Sequence, residues 1–244
     1  MSLELHNVSK MINAGGVRHP LFENLNLRIE TGDRVGILGM PKSGKSTLLR
    51  MICGTEPLFE GKIERTSRVS WPIPLSEIFA SFATVATNIR FVGRIYGHVS
   101  DEFVKDIGKK GDIAEFLNTK LGDCPRHVKS QLAFALGIGM DFDLYLFDDR
   151  VVSGSKEYQE KALALVKELD PNRGLLVATS NPKEITAHCN AVFILHEAHV
   201  THYADVKQGI KYFKSLKRDE NQEFDDPRKD VEVAEEDMGI GIGL

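Results

Sequence analysis

Cysteine is scarce in this chain. Cys53, Cys124 and Cys189 are an odd number at spacings that form neither a CxxC pair nor a zinc ribbon, which excludes a disulfide scaffold and leaves reduced, mostly buried thiols as the expectation. His188, Cys189, His196, His199 and His202 yield no four-ligand metal set and suit strand and turn positions better. Long apolar runs are missing as well. Nothing approaches the roughly 18 residues that span a bilayer, and Met1-Ser2-Leu3-Glu4 lacks the basic-then-apolar order of a signal peptide, so the expectation is a cytoplasmic chain with no membrane span of its own. A dense basic stripe is lacking too, which argues against nucleic acid as a partner.

What is present suits one large core: 244 residues, 42% hydrophobic and 27% charged. The net charge of −4 hides an asymmetry, because residues 219–244 hold ten Asp or Glu against Arg228 and Lys229. The rest of the chain is mildly basic, as suits a protein that handles phosphates or sits beside an anionic surface. The expected division is a domain over 1–217 and an acidic, disordered tail over 218–244.

Alternation of apolar and polar residues predicts strands over 3–8 and 21–29, joined through the turn Asn13-Ala14-Gly15-Gly16. Short buried strands are predicted at 34–38, 144–147 and 175–179, with helices at 46–52 and 156–169 between them; strands alternating with helices imply a parallel sheet. The section from about 73 to 142 has helical spacing over 88–96, 101–117 and 127–139 and reads as an inserted helical subdomain, with Phe91, Ile95 and Tyr96 placed in its core.

Gly39-Met40-Pro41-Lys42-Ser43-Gly44-Lys45-Ser46-Thr47 fits G-x-x-x-x-G-K-[ST] between a predicted strand and a predicted helix. In such a loop the backbone N–H groups of Gly39, Pro41 to Gly44 and the helix start, proline excepted, point at phosphates. Lys45 neutralises β and γ oxygens, Ser46 completes the motif and holds Mg²⁺, and Thr47 follows as a further nucleotide-binding residue. The apolar run Leu144-Tyr145-Leu146-Phe147 leading into Asp148 is what a strand presenting a carboxylate to magnesium needs, and Asp149 falls where a general base could orient water. These features call for ATP and Mg²⁺ and an α/β P-loop NTPase core of RecA-like type, with a small N-terminal antiparallel portion and the helical insertion.

Order and local wording narrow this further. Gly44-Lys45-Ser46-Thr47-Leu48-Leu49-Arg50, Ser70-Trp71-Pro72, Arg90-Phe91-Val92-Gly93-Arg94-Ile95-Tyr96-Gly97, and Leu132-Ala133-Phe134-Ala135-Leu136 followed by Asp141-Phe142-Asp143 resemble the ATP-binding cassette family over about residues 1–215, particularly its capsular polysaccharide export branch. The resemblance implies an ATP-binding subunit, peripheral on the inner face of a bacterial inner membrane. Its partners would be a polytopic permease and a second ATP-binding subunit in a homo- or heterodimer. It also places the helical region near the groove that receives a coupling helix from the permease.

The chain departs from the family's pattern at several places. Ile12 stands near the aromatic that stacks on adenine. Pro72-Ile73-Pro74-Leu75 occupies the region of a magnesium-binding glutamine. Cys124-Pro125-Arg126-His127-Val128 replaces the Leu-Ser-Gly-Gly-Gln signature, which brings serine and glycines to the partner's γ-phosphate; Pro125 offers neither hydroxyl nor N–H, while Arg126 could supply a cation there. Asp149 replaces a glutamate, Ser155 an aspartate of the inter-subunit loop, and Ser180, in Thr179-Ser180-Asn181-Pro182, a histidine. The expectation is therefore a transport ATPase of weak activity, with a hydrolysis-impaired subunit paired with a competent partner as the alternative. A small-molecule P-loop kinase would lack the helical insertion between phosphate loop and Asp148.

Overall fold

The computed structural model describes residues 2–14, 16–75, 77–152 and 154–224. The expected acidic tail falls largely outside these residues. The last helix, Val206–Phe224, runs past the boundary placed at 217.

Two sheets organise the chain. Strands β1 (Ser2–Ala14), β2 (Val17–Glu30) and β4 (Glu60–Arg65) form an antiparallel sheet in the order β2-β1-β4, and β1 and β2 form a hairpin whose last pair is Ala14 with Val17. The second sheet has the order β5-β6-β7-β3-β8-β9, built from β3 (Arg34–Gly39), β5 (Val69–Ile73), β6 (Leu144–Asp148), β7 (Gly174–Thr179), β8 (Ala191–His196) and β9 (His199–Tyr203). Its first five strands run parallel, and β9 adds antiparallel to β8 at the edge. The central strands are mostly apolar because helices cover one face and the antiparallel sheet with α1 covers the other.

Side-chain alternation divides the core accordingly. Leu144, Leu146, Leu176, Ile37 and Leu195 pack toward the antiparallel sheet and Leu48, Leu49, Met51 and Ile52 of helix α1 (Lys45–Cys53). Tyr145, Phe147, Leu175, Val177 and Ile194 face the opposite way, toward the remaining helices. Burying a full Leu, Ile or Phe side chain contributes about 1.5–3 kcal/mol, so these two clusters carry most of the gross stabilisation.

Helices α2 (Val85–Ile95), α3 (Asp101–Lys110) and α4 (Arg126–Gly139) lie between β5 and β6 in the chain, as the insertion reading expects. Local chemistry sets their starts. The Thr84 hydroxyl accepts from the Thr87 N–H at 3.1 Å, and the Ser100 hydroxyl from Phe103 N–H at 3.1 Å. In α3, Asp101 and Glu102 at the first turn and Lys109 and Lys110 at the last complement the helix dipole. Helix α3 ends at Lys110 rather than continuing to 117: Gly111 caps it, Asp112 takes φ 54°, and a short 3-10 turn at Ala114–Phe116 follows.

The placement of Phe91, Ile95 and Tyr96 in the core is overturned. They are 60%, 65% and 46% exposed, and the buried face of α2 is made instead by Val85, Ala86, Ile89, Val92, Gly93 and the amide of Asn88. Tyr96 reaches only one edge of an aromatic group with Trp71 and Phe142, at centroid distances of 5.3 and 5.6 Å. The three cysteines are free and partly buried. Burial pushes the Cys189 thiol up to about 12. Among the described residues no helix is long and apolar enough to cross a membrane.

Candidate functional site

Strand order creates the site. Because β7 lies between β6 and β3, the loop that leaves β3 and the carboxylate that ends β6 flank the end of β7, with Leu38 paired to Thr179 and Asp148 to Ala178. These are the C-terminal ends of parallel strands, where open α/β sheets bind ligands.

The loop from Gly39 to Gly44 needs its glycines. At Gly44 φ is +94°, and a Cβ there would stand 2.7 Å from Leu21 Cγ and 2.9 Å from Phe22 Cζ, so the turn into α1 is pressed against β2. A Cβ at Gly39 would lie 2.7 Å from Ser43 Oγ and 2.9 Å from the Leu195 carbonyl oxygen. Lys42 also takes a positive φ of 67°. With Leu48 N–H donating to the Gly44 carbonyl at 2.9 Å, helix α1 starts with its unpaired N–H groups turned toward the loop.

Lys45 folds back over this loop. Its ammonium donates to the carbonyls of Gly39 (3.0 Å) and Met40 (2.6 Å) and to Ser43 Oγ (3.3 Å). Burial lowers its pKa, against the pull of the Asp148 and Asp149 carboxylates. The Ser46 hydroxyl donates to Asp148 Oδ1 at 2.9 Å, joining α1 to β6 across 102 positions of sequence. Burial raises the Asp148 carboxyl; the Ser46 hydrogen bond opposes the shift and the Asp149 charge adds to it. Two hard oxygen donors next to a lysine and a helix start fit a hydrated divalent cation held together with a polyphosphate. A cavity of about 280 Å³ adjoins them, lined by Ile12, Leu21, Lys42, Gly44, Lys45, Ser46 and Thr47.

The other sequence candidates do not line this cavity. Gly39 and Ser43 shape the loop from beneath, and Pro41 is exposed at its tip; none of the three lines the cavity. Asp149 is exposed, held at φ 70° by its N–H donating to the Ala178 carbonyl at 2.8 Å, a backbone state that Asp tolerates better than most residues. Ser180 is half-buried just past β7, where the Thr179 hydroxyl accepts from the Asn181 N–H at 3.0 Å. Asn181 then caps helix α6 (Pro182–His188) through Lys183 N–H. The Ser155 hydroxyl accepts from the Tyr158 N–H at 3.3 Å and so caps helix α5 (Lys156–Lys167). Pro125 stands at the start of α4, which has no side-chain cap, and Arg126 is exposed on its first turn. Leu21 was not picked out from sequence, although its place beside Phe22 on the strand facing Ile12 was a usable signal.

A family model described as ABC transporter matches residues 22–149, a stretch that runs from the strand against the phosphate loop to the second aspartate at the end of β6. This chain belongs to the ABC transporter family. Among curated members of that family, the ATP-binding protein BexA of Haemophilus influenzae is 27% identical over 216 residues, covering 88% of this chain and all of BexA. The capsule polysaccharide export ATP-binding protein CtrD of Neisseria meningitidis serogroup B is 28% identical over 215 residues, covering 88% and 99%. Among solved ABC structures, the ATP-binding cassette MJ0796, a dimer in a post-hydrolysis state bound to ADP and Pi, superposes with a TM-score of 0.72 at 20% identity, covering 82% of this chain and 97% of that one. That likeness is one of fold: α/β core, antiparallel sheet and helices between β5 and β6 form an ABC-type P-loop cassette.

Proposed function

We propose that this chain is the ATP-binding subunit of a transporter that exports a capsular or related polysaccharide across the bacterial inner membrane. The observation that carries the nucleotide part is the convergence of Lys45, Ser46 and Asp148 at the ends of β3 and β6. Gly39 to Thr47 enclose the phosphates, Lys45 exchanges its loop carbonyls for β and γ oxygens, and Ser46 with Asp148 holds Mg²⁺. When bound, the metal supplies charge neutralisation on the phosphate oxygens. Asp149 is the group placed to orient a water. The polysaccharide part rests on the similarity to BexA and CtrD along nearly the whole of both relatives.

Two partners complete the proposal. A second ATP-binding subunit closes the nucleotide site, and a polytopic permease receives the motion at the membrane, leaving the cassette peripheral on its cytoplasmic face. The apolar side chains exposed on and around α2 support the permease contact: Phe82 84%, Phe91 60%, Ile95 65% and Val99 78%. Phe91 and Ile95 are one helical turn apart and so share a face.

A second reading, in which ATP is bound but hydrolysed slowly, is favoured by the chemistry around the phosphate end. The base candidate is an exposed, short aspartate, and α4 begins on a proline with no N–H to offer.

The test is complementation. A strain lacking this chain should lose surface polysaccharide, regain it with the wild-type chain, and remain deficient with Lys45→Ala, whose ATP affinity should drop on the order of 100-fold for loss of a charged phosphate contact. Full complementation by Lys45→Ala would sink the proposal.

A further inference from the structure

The last helix carries a lysine on its inner face. Helix α7 (Val206–Phe224) packs on β8, and residues four apart share the stripe that faces the sheet. On that stripe Gly209 is buried, where a Cβ would stand 2.4 Å from Val192 Cγ1, and Phe213 is 1% exposed. The next member is Lys217, which is half-buried, whereas Lys211 and Lys214 lie outside the stripe and are exposed.

The same stripe leads to the phosphate loop. Val192 pairs with Gly36, and Leu195, three residues on, pairs with Gly39, so β8 covers about 10 Å between the two levels. Phe213 shares one buried cluster with Ile194 and Leu38, so α7 runs from the level of Val192 toward that of Gly39. Eight residues of helix from Gly209 advance about 12 Å, which brings Lys217 to the strand ends where the loop begins. Its Nζ lies 5.0 Å from the centroid of the Phe213 ring, and among the described residues the lysine ion pairs belong to Lys10, Lys62, Lys110 and Lys161, leaving Lys217 without a carboxylate. Burial lowers the pKa of Lys45, the Asp148 and Asp149 carboxylates oppose that shift, and the Lys217 charge lowers it further.

We propose that Lys217 is a second cation of the phosphate site, acting through space on the nucleotide's phosphates from the face of the sheet opposite the hairpin. The inference rests on reading the phosphate loop as a nucleotide site. The cavity of about 280 Å³ lies on the hairpin side of Lys45, with Ile12 and Leu21 in its wall, and Lys217 is not part of that wall. Two ammonium groups within electrostatic reach repel each other while the site is empty, and a polyphosphate entering beside Lys45 is attracted by both. Resting on an aromatic face instead of a carboxylate leaves the Lys217 charge uncancelled for that role. Lys217 is a binding residue here, and no proton transfer is assigned to it.

The experiment is titration calorimetry on the full chain with magnesium-ATP and inorganic tripolyphosphate, each at low and at high salt. Lys217→Met, which keeps an apolar stem over Phe213, should weaken both probes about three- to tenfold at low salt, with the deficit shrinking as salt screens the charge. Lys217→Arg should bind both as wild type does. Unchanged affinity in Lys217→Met overturns the inference, and so does a loss that salt does not reduce and Lys217→Arg does not restore, which marks a structural role. Failure of the nucleotide-site reading looks different: wild-type chain then binds neither probe in a way that Lys45→Ala abolishes, and the inference falls with it.

Discussion

The two sides of the nucleotide site are built by different rules. On the phosphate-loop side every group is locked by its neighbours: Gly44 pressed against Leu21 and Phe22, Lys45 held by carbonyls at 2.6 and 3.0 Å, Ser46 bonded to Asp148 at 2.9 Å. Elsewhere, Asp149 and Ser180 past the ends of β6 and β7 and Pro125-Arg126 at the start of α4 are exposed or half-buried, and their structural duties are a positive-φ strand end, a turn beside a helix cap and an uncapped helix start. The difference teaches that the shape of the phosphate loop depends on close packing that tolerates little change, whereas Asp149, Ser180 and Arg126 pack against little and can be replaced at small cost to the fold.

That contrast can be broken from either side. The largest effect should come from Gly44→Ala, which forces a side chain into a φ of +94° and against Leu21 and Phe22. A loss of about 2–3 kcal/mol in urea unfolding, with ATP binding lost as well, is expected; an unchanged midpoint would mean that the tight packing is not what shapes the loop. Next is Asp149→Glu, which extends the carboxylate by one methylene toward a water. Its phosphate release should rise about tenfold over wild type, a part of the 10²- to 10⁴-fold that a positioned base contributes, with slightly lower stability because Glu is less tolerant of φ 70°. No gain in rate would place the defect elsewhere, at α4 or Ser180.

The smallest effect concerns Asp148. Burial raises its carboxyl in the folded chain above the unfolded value of about 3.9, so the folded state binds protons more readily and stability falls as pH rises through that window. At neutral pH the ionised group costs stability in the absence of ligand. Asp148→Asn should therefore raise the melting temperature of the nucleotide-free chain by about 1–3 °C at pH 7, with the gap narrowing as pH falls toward the carboxyl's own range. A lower melting temperature would show that the charge is a net stabiliser through Lys45.

The locked side was also the legible one. A phosphate loop is contiguous, and the strand, glycine turn and helix around Lys45 announce themselves within a dozen or so residues; Asp148 stands out because four apolar residues precede it. The meeting of Ser46 with Asp148 is not local. It follows from β7 inserting between β6 and β3, a strand order that no single segment encodes. Phe91, Ile95 and Tyr96 were misplaced because helical spacing marks an apolar face without saying whether the helix has two, and α2 keeps one of them outside. The stop of α3 at Lys110 turned on Asp112 adopting a positive φ, and β9, His199–Tyr203, is too polar an edge strand to declare itself by periodicity.

The proposal joins Lys45-dependent nucleotide binding to a second reading of slow hydrolysis, and single-turnover phosphate release from stoichiometric magnesium-ATP tests both most directly, with Lys45→Ala as control. The account predicts ATP binding that depends on Lys45, followed by release on the order of 0.1 s⁻¹ or below, an ordinary rate of about 10 s⁻¹ reduced at least about a hundredfold. Release at an ordinary enzymatic rate, or wild-type binding no tighter than that of Lys45→Ala, would contradict it.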